Sequence, residues 1–375
     1  MSKENYASGE KQPPAKTVSQ LQKPGLKYVV MDVHQEATVN IVYDGSGRIL
    51  DERVLATQPK PLLDYIGGIK GEIRLTFEEG TQANWLYDLL LPKVKQVLVC
   101  DPRHNHILKV GNKSDKLDVR KLGGLFRSAM LKPVFKQRLA NRDLKELERN
   151  YSALVSDTTR IMNRIKAIYR GRAIGSSSSL YQQKKREYWL GLLSEPGIRL
   201  RAEHLFKALD YLRQLRQEAR AALLKESHRH QVSRILETIP QLGPIRVARI
   251  LAIGITPDRF RTKRQLWCYA GLAVVTRTTS DFGIKDGQPY HRHKAVSTRG
   301  LNRNHNPGLK EIFKSAAVAA VTGGVFKEYY DRALAKGIRP EMARLSVARK
   351  LAAITLVIWR KGEKFDPAKM NKTLA

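Results

Sequence analysis

The chain has 375 residues, enough for two or three domains with sizeable cores and no need of a disulfide framework. Lys plus Arg number 68 against 35 Asp plus Glu, and the net charge of +33 is spread along the chain. Such a field attracts polyphosphates, since each neutralised phosphate releases condensed counterions. The charge therefore indicates a nucleic-acid-binding protein, and a ribosomal or merely basic protein is the alternative.

The cysteines and the hydropathy pattern bear on the compartment. Cys100 and Cys268 have no metal-ligand spacing and lie in or beside apolar runs, which predicts two buried thiols in a reducing cytoplasm. Met1 starts no charged-then-apolar leader, and no apolar run approaches about 18 residues. We expect a cytoplasmic, nucleoid-associated protein of a bacterium or archaeon with no membrane contact.

The first folded region is predicted to be an α/β layer over residues 27–135, after a disordered basic tail of residues 1–26. Runs rich in Val, Ile and Thr predict three antiparallel strands, and alternating helices and strands follow them. The expected strands are Tyr28–Val33, Ala37–Tyr43, Arg48–Leu55, Glu72–Phe77 and Val94–Cys100, and the expected helices are Pro61–Ile69 and Gln82–Leu91. This order indicates a mixed sheet.

Long charged helices are predicted over residues 136–236. Apolar residues from Leu144 to Ile168 repeat in steps of three and four, as in a heptad seam. A second seam comprises Leu205, Ala208, Leu212, Leu215, Ala219 and Ala222. A helical hairpin within one chain and a coiled coil pairing two chains both satisfy this pattern, and a hairpin can also dimerise.

The last region, residues 237–375, is predicted to be mainly helical. Ile239–Pro244 followed by a helix over Ile245–Ile253 indicates a helix-hairpin-helix, which grips backbone phosphate through exposed helix amides. Gly243 and Arg246 are the expected contacts. The usual hairpin has glycine where Gln241 lies, and an ordinary helical corner in a core is the alternative.

A basic polar segment, residues 276–308, is predicted to be a long loop or a distorted hairpin. A loop of that length inside a compact domain is usually functional. Arg277, Arg299 and Arg303 are expected to contact nucleic acid. The segment also contains His291, His293 and His305. No cysteine lies near them and their spacing is not that of a zinc site, so we expect a phosphate- or RNA-contacting segment instead.

Four acidic residues lie where a metal site forms. Asp32 ends the first predicted strand and Glu78 follows the fourth, and ligands collect at strand ends in α/β sheets. Asp115 and Asp118 are three residues apart, which places both on one face of a helix. The four carboxylates can hold two Mg²⁺ ions about 4 Å apart for phosphoryl transfer.

Each acidic residue also has a structural explanation. Asp32 can cap a turn, and Glu79 can replace Glu78 as the ligand, although Glu78 follows an apolar position and fits better. Asp115 and Asp118 are flanked by Lys and Arg and can form surface ion pairs. All four together, in so basic a chain, favour the metal site.

These segments resemble the Asp-Glu-Asp-Asp signature of the IS110 family of insertion-sequence transposases. The matching residues are Met31–His34, Phe77–Glu78 and Lys113–Asp118 in the first half, and Ile239–Pro244, Phe260–Arg261, Cys268–Leu272 and Arg349–Pro367 in the second. The resemblance covers about residues 27–368. The acidic quartet and the Ala270–Leu272 segment are its most specific parts.

The resemblance implies a ribonuclease-H-like fold for residues 27–135, similar to a Holliday-junction resolvase, and Mg²⁺ at the acidic quartet with Mn²⁺ as a substitute. It also implies a serine nucleophile after the Ala-Gly-Leu segment. Ser280 is the only serine in the matching stretch, with Arg277 as a neighbour able to stabilise the reacting phosphate. The family often has glycine after that serine, whereas this chain has Asp281, so Thr279 is a second candidate.

The partners implied by the resemblance are the double-stranded DNA of the element ends and target, and a structured guide RNA whose loops base-pair with both. A homodimer or homotetramer is expected because strand exchange involves several strands. The expected function is excision and insertion of a mobile DNA element through a phosphoserine link. The alternatives are a metal-dependent junction nuclease that uses water, and a non-enzymatic nucleic-acid binder.

Overall fold

The computed structural model describes residues 25–104, 115–136, 142–277, 282–285, 287–291 and 297–371. The chain forms two compact units, Met1–Arg138 and Leu139–Ala375. None of the helices in these described ranges combines the length and apolar character that a membrane span requires.

The first unit is built on a five-stranded sheet. Its strands are β1 (Leu26–Val33), β2 (Ala37–Tyr43), β3 (Ile49–Ala56), β4 (Glu72–Glu78) and β5 (Gln96–Cys100), in the order β3-β2-β1-β4-β5. The first three form an antiparallel meander, whereas β4 and β5 run parallel to β1. The helices are α1 (Pro59–Gly68), α2 (Ala83–Leu90) and α3 (Asp115–Arg127). This is the mixed α/β layer that the sequence predicts.

Helices cover both faces of the sheet. Side chains alternate between the two faces along each strand, so neighbouring residues of a strand contact different helices. Val29 and Met31 of β1 pack in the cluster that includes residues of α1 and α2. Tyr28 and Val30 instead pack in a second cluster, together with Val119, Leu122 and Phe126 of α3. The even-numbered positions of β1 therefore face α3, and this assignment fixes where the acidic residues at the strand ends point.

The second unit begins with a helical hairpin. Helices α4 (Arg142–Arg170) and α6 (Pro196–Ser227) pack on each other within one chain, joined by a segment that includes α5 (Arg186–Gly191). An aromatic cluster closes the tip, where the Tyr169 and Trp189 rings meet edge to face with centroids 5.5 Å apart. The intramolecular hairpin is thus what the structure forms.

The buried face of α6 differs from the predicted seam. Its buried residues are Ala202, Phe206, Leu209, Ala219, Leu223 and Ser227, so that Ala219 alone of the six predicted positions is buried. The helix is rotated so that Phe206 and Leu209 enter the tip cluster, while Leu205 stays half-buried beside it. The α4 seam fits better, since Leu144, Thr158, Ile165 and Ile168 are all buried.

The base of the hairpin shares one core with the last helices. Leu144 of α4 and Leu223 of α6 belong to the same cluster as residues of the helices that follow. Those helices are α7 (Gln231–Leu236), α8 (Pro244–Gly254), α9 (Lys263–Tyr269), α10 (Pro307–Ala320), α11 (Val325–Ala335) and α12 (Pro340–Lys361), and the short helix α13 (Pro367–Asn371) follows them. A boundary between residues 236 and 237 stays a prediction.

The basic polar segment contains short strands. β6 (Val274–Arg277) pairs antiparallel with β9 (Ser297–Leu301) with an irregular register, and β7 (Phe282–Lys285) pairs with β8 (Gln288–His291) in a hairpin between them. The distorted-hairpin alternative thus describes these residues better than a long loop. One prediction at α9 is wrong: Cys100 is buried, but Cys268 is exposed because it lies on the outer side of this short helix.

Candidate active site

Asp32 and Glu78 lie at the same edge of the first sheet, on neighbouring parallel strands. The last aligned pair of β1 and β4 is Met31 with Phe77, so the two acidic residues come next on each strand. Neighbouring strands are about 4.8 Å apart, so the two carboxylates project from adjacent backbone positions. By alternation both lie on the sheet face that α3 covers.

Helix α3 runs antiparallel to β1. At its end, the Phe126 ring meets the Tyr28 ring edge to face with centroids 5.4 Å apart, and Arg127 Nη2 donates to the Ser46 carbonyl at 2.8 Å in the β2–β3 turn. Two turns earlier, Arg120 pairs with Glu52 of β3 at 2.9 Å. The start of α3 therefore lies toward the sheet edge at which β1 and β4 end.

Asp118 is near this start, on the side of α3 that faces the sheet. Its neighbour Val119 is fully buried, and Leu122, one turn further, is buried as well. The Asp118 Oδ1 atom is itself buried and accepts no hydrogen bond from the described residues. A carboxylate oxygen in that position is costly unless a cation or a donor meets it. Asp115 is the first residue of the helix, and its side chain lies outside the described part.

Neighbouring polar groups distinguish Glu78 from Glu79. Glu79 is held by Lys136, whose Nζ lies 2.7 Å from Glu79 Oε2 and donates to Asn84 Oδ1 at 2.7 Å. Lys136 is nearly buried, so this ion pair is a structural one. Asp32 in turn contacts the His34 ring, with Nε2 and Oδ2 3.1 Å apart. Glu78 is the better-placed of the two glutamates for a site shared with Asp32, because it lies on the same face of the sheet as Asp32 at the adjacent strand position.

The next strand end carries an acidic residue that sequence reasoning missed. Asp101 directly follows β5 and accepts hydrogen bonds from Arg103 Nε and Nη2, both at 3.0 Å, while His104 Nδ1 lies 3.1 Å away. Burial raises the pKa of the Asp101 carboxyl, but these cationic neighbours outweigh burial and hold it below its ordinary value. The signal was present in the sequence, since Asp101 follows an apolar strand as Asp32 does.

The donors at this edge are carboxylate oxygens, which suit a hard divalent cation. Across the described ranges, no three His, Cys, Asp or Glu side chains already lie together as a metal-holding set. Asp32 and Glu78 are brought together by register, and Asp118 approaches from α3 with its unsatisfied oxygen. These residues fit a divalent ion by donor chemistry and by the buried Asp118 oxygen, which accepts no hydrogen bond from any residue that the structure describes.

The predicted helix-hairpin-helix has an unusual turn. Gln241, where glycine is usual, has a φ of +69°, in the left-handed region that glycine favours. Gly243 then caps the N-terminus of α8 without any side-chain hydrogen bond. Arg246, in the first turn, donates from Nη1 to the Gln241 carbonyl at 2.9 Å and so holds this turn. The turn before α8 thus has the left-handed backbone that glycine usually supplies there, and the helix-hairpin-helix stays a prediction.

The remaining predicted site residues belong to the β6–β9 region. Thr279, Ser280 and His293 lie outside the described residues. Arg277 is the last residue of β6 and pairs with Ser297 of β9. Arg299 lies on β9 itself, and Arg303 is exposed two residues after the end of β9. His305 packs on the Ala270–Leu272 turn: a Cβ on Gly271, whose φ is +64°, would come within 2.6 Å of the His305 ring.

Comparisons with known proteins find two family matches. Residues 29–171 match the DEDD domain model of IS110-type proteins, described as a transposase, and residues 233–331 match the transposase IS116/IS110/IS902 family. An uncharacterized 44.8 kDa protein of insertion element IS116 from Streptomyces clavuligerus is 30% identical over 135 residues. That alignment spans 36% of this chain and 31% of the relative, so less than a third of the relative's length is matched.

Proposed function

Because the chain belongs to the IS116/IS110/IS902 family of transposases, we propose that it excises and inserts a mobile DNA element by metal-dependent strand exchange. The observation that carries this proposal is the parallel register of β1 with β4, which sets Asp32 beside Glu78 at the edge approached by α3. The net charge of +33 supports nucleic acid as the substrate class.

The metal is proposed to be Mg²⁺, with Mn²⁺ as a substitute, held by Asp32, Glu78, Asp118 and Asp115. Bound there, the ion would supply Lewis-acid stabilisation of the charge that develops on phosphate oxygens. The chain's own contribution is positional. Arg120, paired with Glu52, and Phe126, packed on Tyr28, fix α3 against the sheet and so fix the approach of Asp118.

Ser280 is proposed as the nucleophile. Its hydroxyl oxygen bonds to the phosphorus of a DNA phosphodiester while the bond from phosphorus to one sugar oxygen breaks, and that oxygen leaves as a hydroxyl after taking up a proton. A sugar hydroxyl of another strand then attacks the phosphoserine and returns the serine hydroxyl. One phosphodiester replaces another, so no external energy source is consumed.

The proposed partners are the duplex DNA of element and target, a structured guide RNA, and further copies of the same chain. If the guide RNA selects the DNA sequence by base pairing, the protein needs to recognise only the backbone and the helix geometry of the nucleic acids. The dispersed positive charge of the chain suits such contacts. The helix-hairpin-helix at Gly243 and Arg246 and the arginines Arg277, Arg299 and Arg303 are the proposed backbone contacts.

The test incubates the protein with element-end DNA, co-purified RNA and Mg²⁺, and maps any covalent DNA–peptide adduct by mass spectrometry. The proposal expects an adduct on Ser280 that Ser280→Ala abolishes while Thr279→Ala retains it. Strand cleavage that survives Ser280→Ala with no adduct would instead establish a nuclease that uses water. DNA binding without any strand chemistry, unchanged in Asp32→Asn, would establish a non-enzymatic binder.

A further inference from the structure

Three cations of the second unit, Lys263, Arg349 and Lys350, lie on α9 and α12 where these two helices pack on each other. The Lys263 Nζ atom of α9 lies 5.8 Å from the centroid of the Trp267 ring. The Trp267 Nε1 group donates to the Arg349 carbonyl of α12 at 2.9 Å, and Arg349 Nε donates to the Leu272 carbonyl at 2.7 Å. Lys350 follows Arg349 on the same helix. The indole thus ties α9, which carries Lys263, to the α12 backbone at Arg349, and Lys263 is close enough to Lys350 for their charges to repel.

Half-buried cations without an anionic partner destabilise the folded state. Arg349 and Lys350 are half-buried, and burial lowers the pKa of both side chains; the nearby Lys263 charge lowers that of Lys350 further. Within the part of the chain that the structure describes, no carboxylate pairs with any of the three. Exposed lysines without an ion pair are ordinary in so basic a chain. Half-buried cations without a carboxylate carry a desolvation cost, which the bond of Arg349 to one neutral carbonyl offsets only in part.

An anion would reverse that cost. A phosphodiester offers two charged oxygens, the terminal nitrogens of an arginine suit them geometrically, and lysines add point charges. We propose that Lys263, Arg349 and Lys350 bind a phosphodiester of a nucleic-acid backbone beside the Leu272 turn that leads into β6. The proposal rests on the proposed function only in taking nucleic acid as the ligand, and it adds a contact away from the helix-hairpin-helix.

The experiment measures the salt dependence of duplex binding in EDTA, where no strand chemistry occurs. The test variant is Lys263→Gln with Lys350→Gln. The control is Lys184→Gln with Lys185→Gln, which removes the same two charges from exposed residues at the hairpin tip. Losing two phosphate contacts should reduce the slope of log K against log salt by about 1.8 in the test variant. The control variant should retain most of the slope of the unmodified protein, and Lys350→Arg should retain that slope as well.

Equal slopes in the test and control variants, both folded by circular dichroism, would overturn the proposal. The same measurement with a DNA duplex and with an RNA duplex identifies which backbone supplies the phosphodiester. A reduced slope in the test variant with either duplex supports the site. Because binding is read without metal, failure here leaves strand transfer untouched. Failure of strand transfer likewise leaves this site standing.

Discussion

Gly123 of α3 lies against the ring of Tyr43 on β2, so closely that a Cβ on the glycine would come within 2.7 Å of the ring carbon Cε2. Tyr43 is buried, and its ring is therefore not free to move aside. The absence of a side chain at this one position sets how near α3 approaches the sheet. The depth of Asp118, on the same helix, depends on that approach.

Replacing Gly123 with Ala is expected to destabilise the first unit by about 1–3 kcal/mol, because the new methyl group overpacks against Tyr43. Gly124 is the matched control, since a Cβ there meets nothing within 4 Å. Gly124→Ala should stabilise by about 0.5–1 kcal/mol through helix propensity alone. Chemical denaturation of both variants measures the difference, and two shifts of the same sign would contradict this packing.

The left-handed turn at Gln241 predicts a stabilising substitution. Gln241 is exposed, so Gln241→Gly loses no packing and relieves a backbone penalty of about 1 kcal/mol, part of which the greater freedom of glycine in the unfolded chain offsets. We expect a small rise in thermal stability. The same change at exposed Gln217, inside α6, should instead cost about 1 kcal/mol. A loss of stability at both positions would mean that the hairpin has another conformation.

The turn between β2 and β3 predicts a pH dependence. Asp44 Oδ1 accepts hydrogen bonds from Ser46 Oγ at 2.6 Å and from three backbone amides, of which that of Gly47 is at 2.8 Å. These bonds, that of the Ser46 hydroxyl first, lower the pKa of Asp44 from 3.8 to about 2. A lowered folded-state pKa stabilises the fold above the ordinary value and loses that contribution as pH falls toward the folded value.

Asp44→Asn should therefore lower the melting temperature at neutral pH, and the gap from the unmodified protein should close between about pH 4 and pH 2. Asp64→Asn, on the exposed side of α1, makes the same charge change without this turn and serves as the control. Thermal melts across that pH range give the answer. A gap that persists at pH 2, or an equal gap in the control, would show that the turn does not depend on the carboxylate.

The sequence predicts the first sheet well because strand signals there are local. The predicted Tyr28–Val33 and Glu72–Phe77 each differ from β1 and β4 by two residues or fewer at either end, since alternating β-branched residues and turn sequences mark both. Asp32 and Glu78 could therefore be placed at strand ends from sequence. Strand order and the parallel pairing, which set them side by side, depend on long-range packing that no local pattern reports.

Other features depend on tertiary contacts. The rotation of α6 follows from the aromatic cluster at the hairpin tip, which takes up Phe206, whereas a heptad count places Leu205 in the seam. The hairpin at Gln241 forms against local preference, held by the Arg246 bond and by buried Leu242. The unsatisfied Asp118 oxygen is likewise visible only once α3 lies on the sheet.

Asp118 is proposed to complete a divalent-ion site with Asp32 and Glu78. The most direct test of this proposal titrates Mn²⁺ into the metal-free protein by calorimetry, alongside Asp118→Asn and the control Glu79→Gln. Asp118→Asn removes the charge from a half-buried side chain whose buried Oδ1 accepts no hydrogen bond from the described residues, so we expect the variant to fold at least as well. We expect Asp118→Asn to weaken Mn²⁺ binding more than about tenfold, or 1.4 kcal/mol, and Glu79→Gln to bind Mn²⁺ as the unmodified protein does. Equal affinities in all three proteins, or no binding by the unmodified chain, would contradict the proposal.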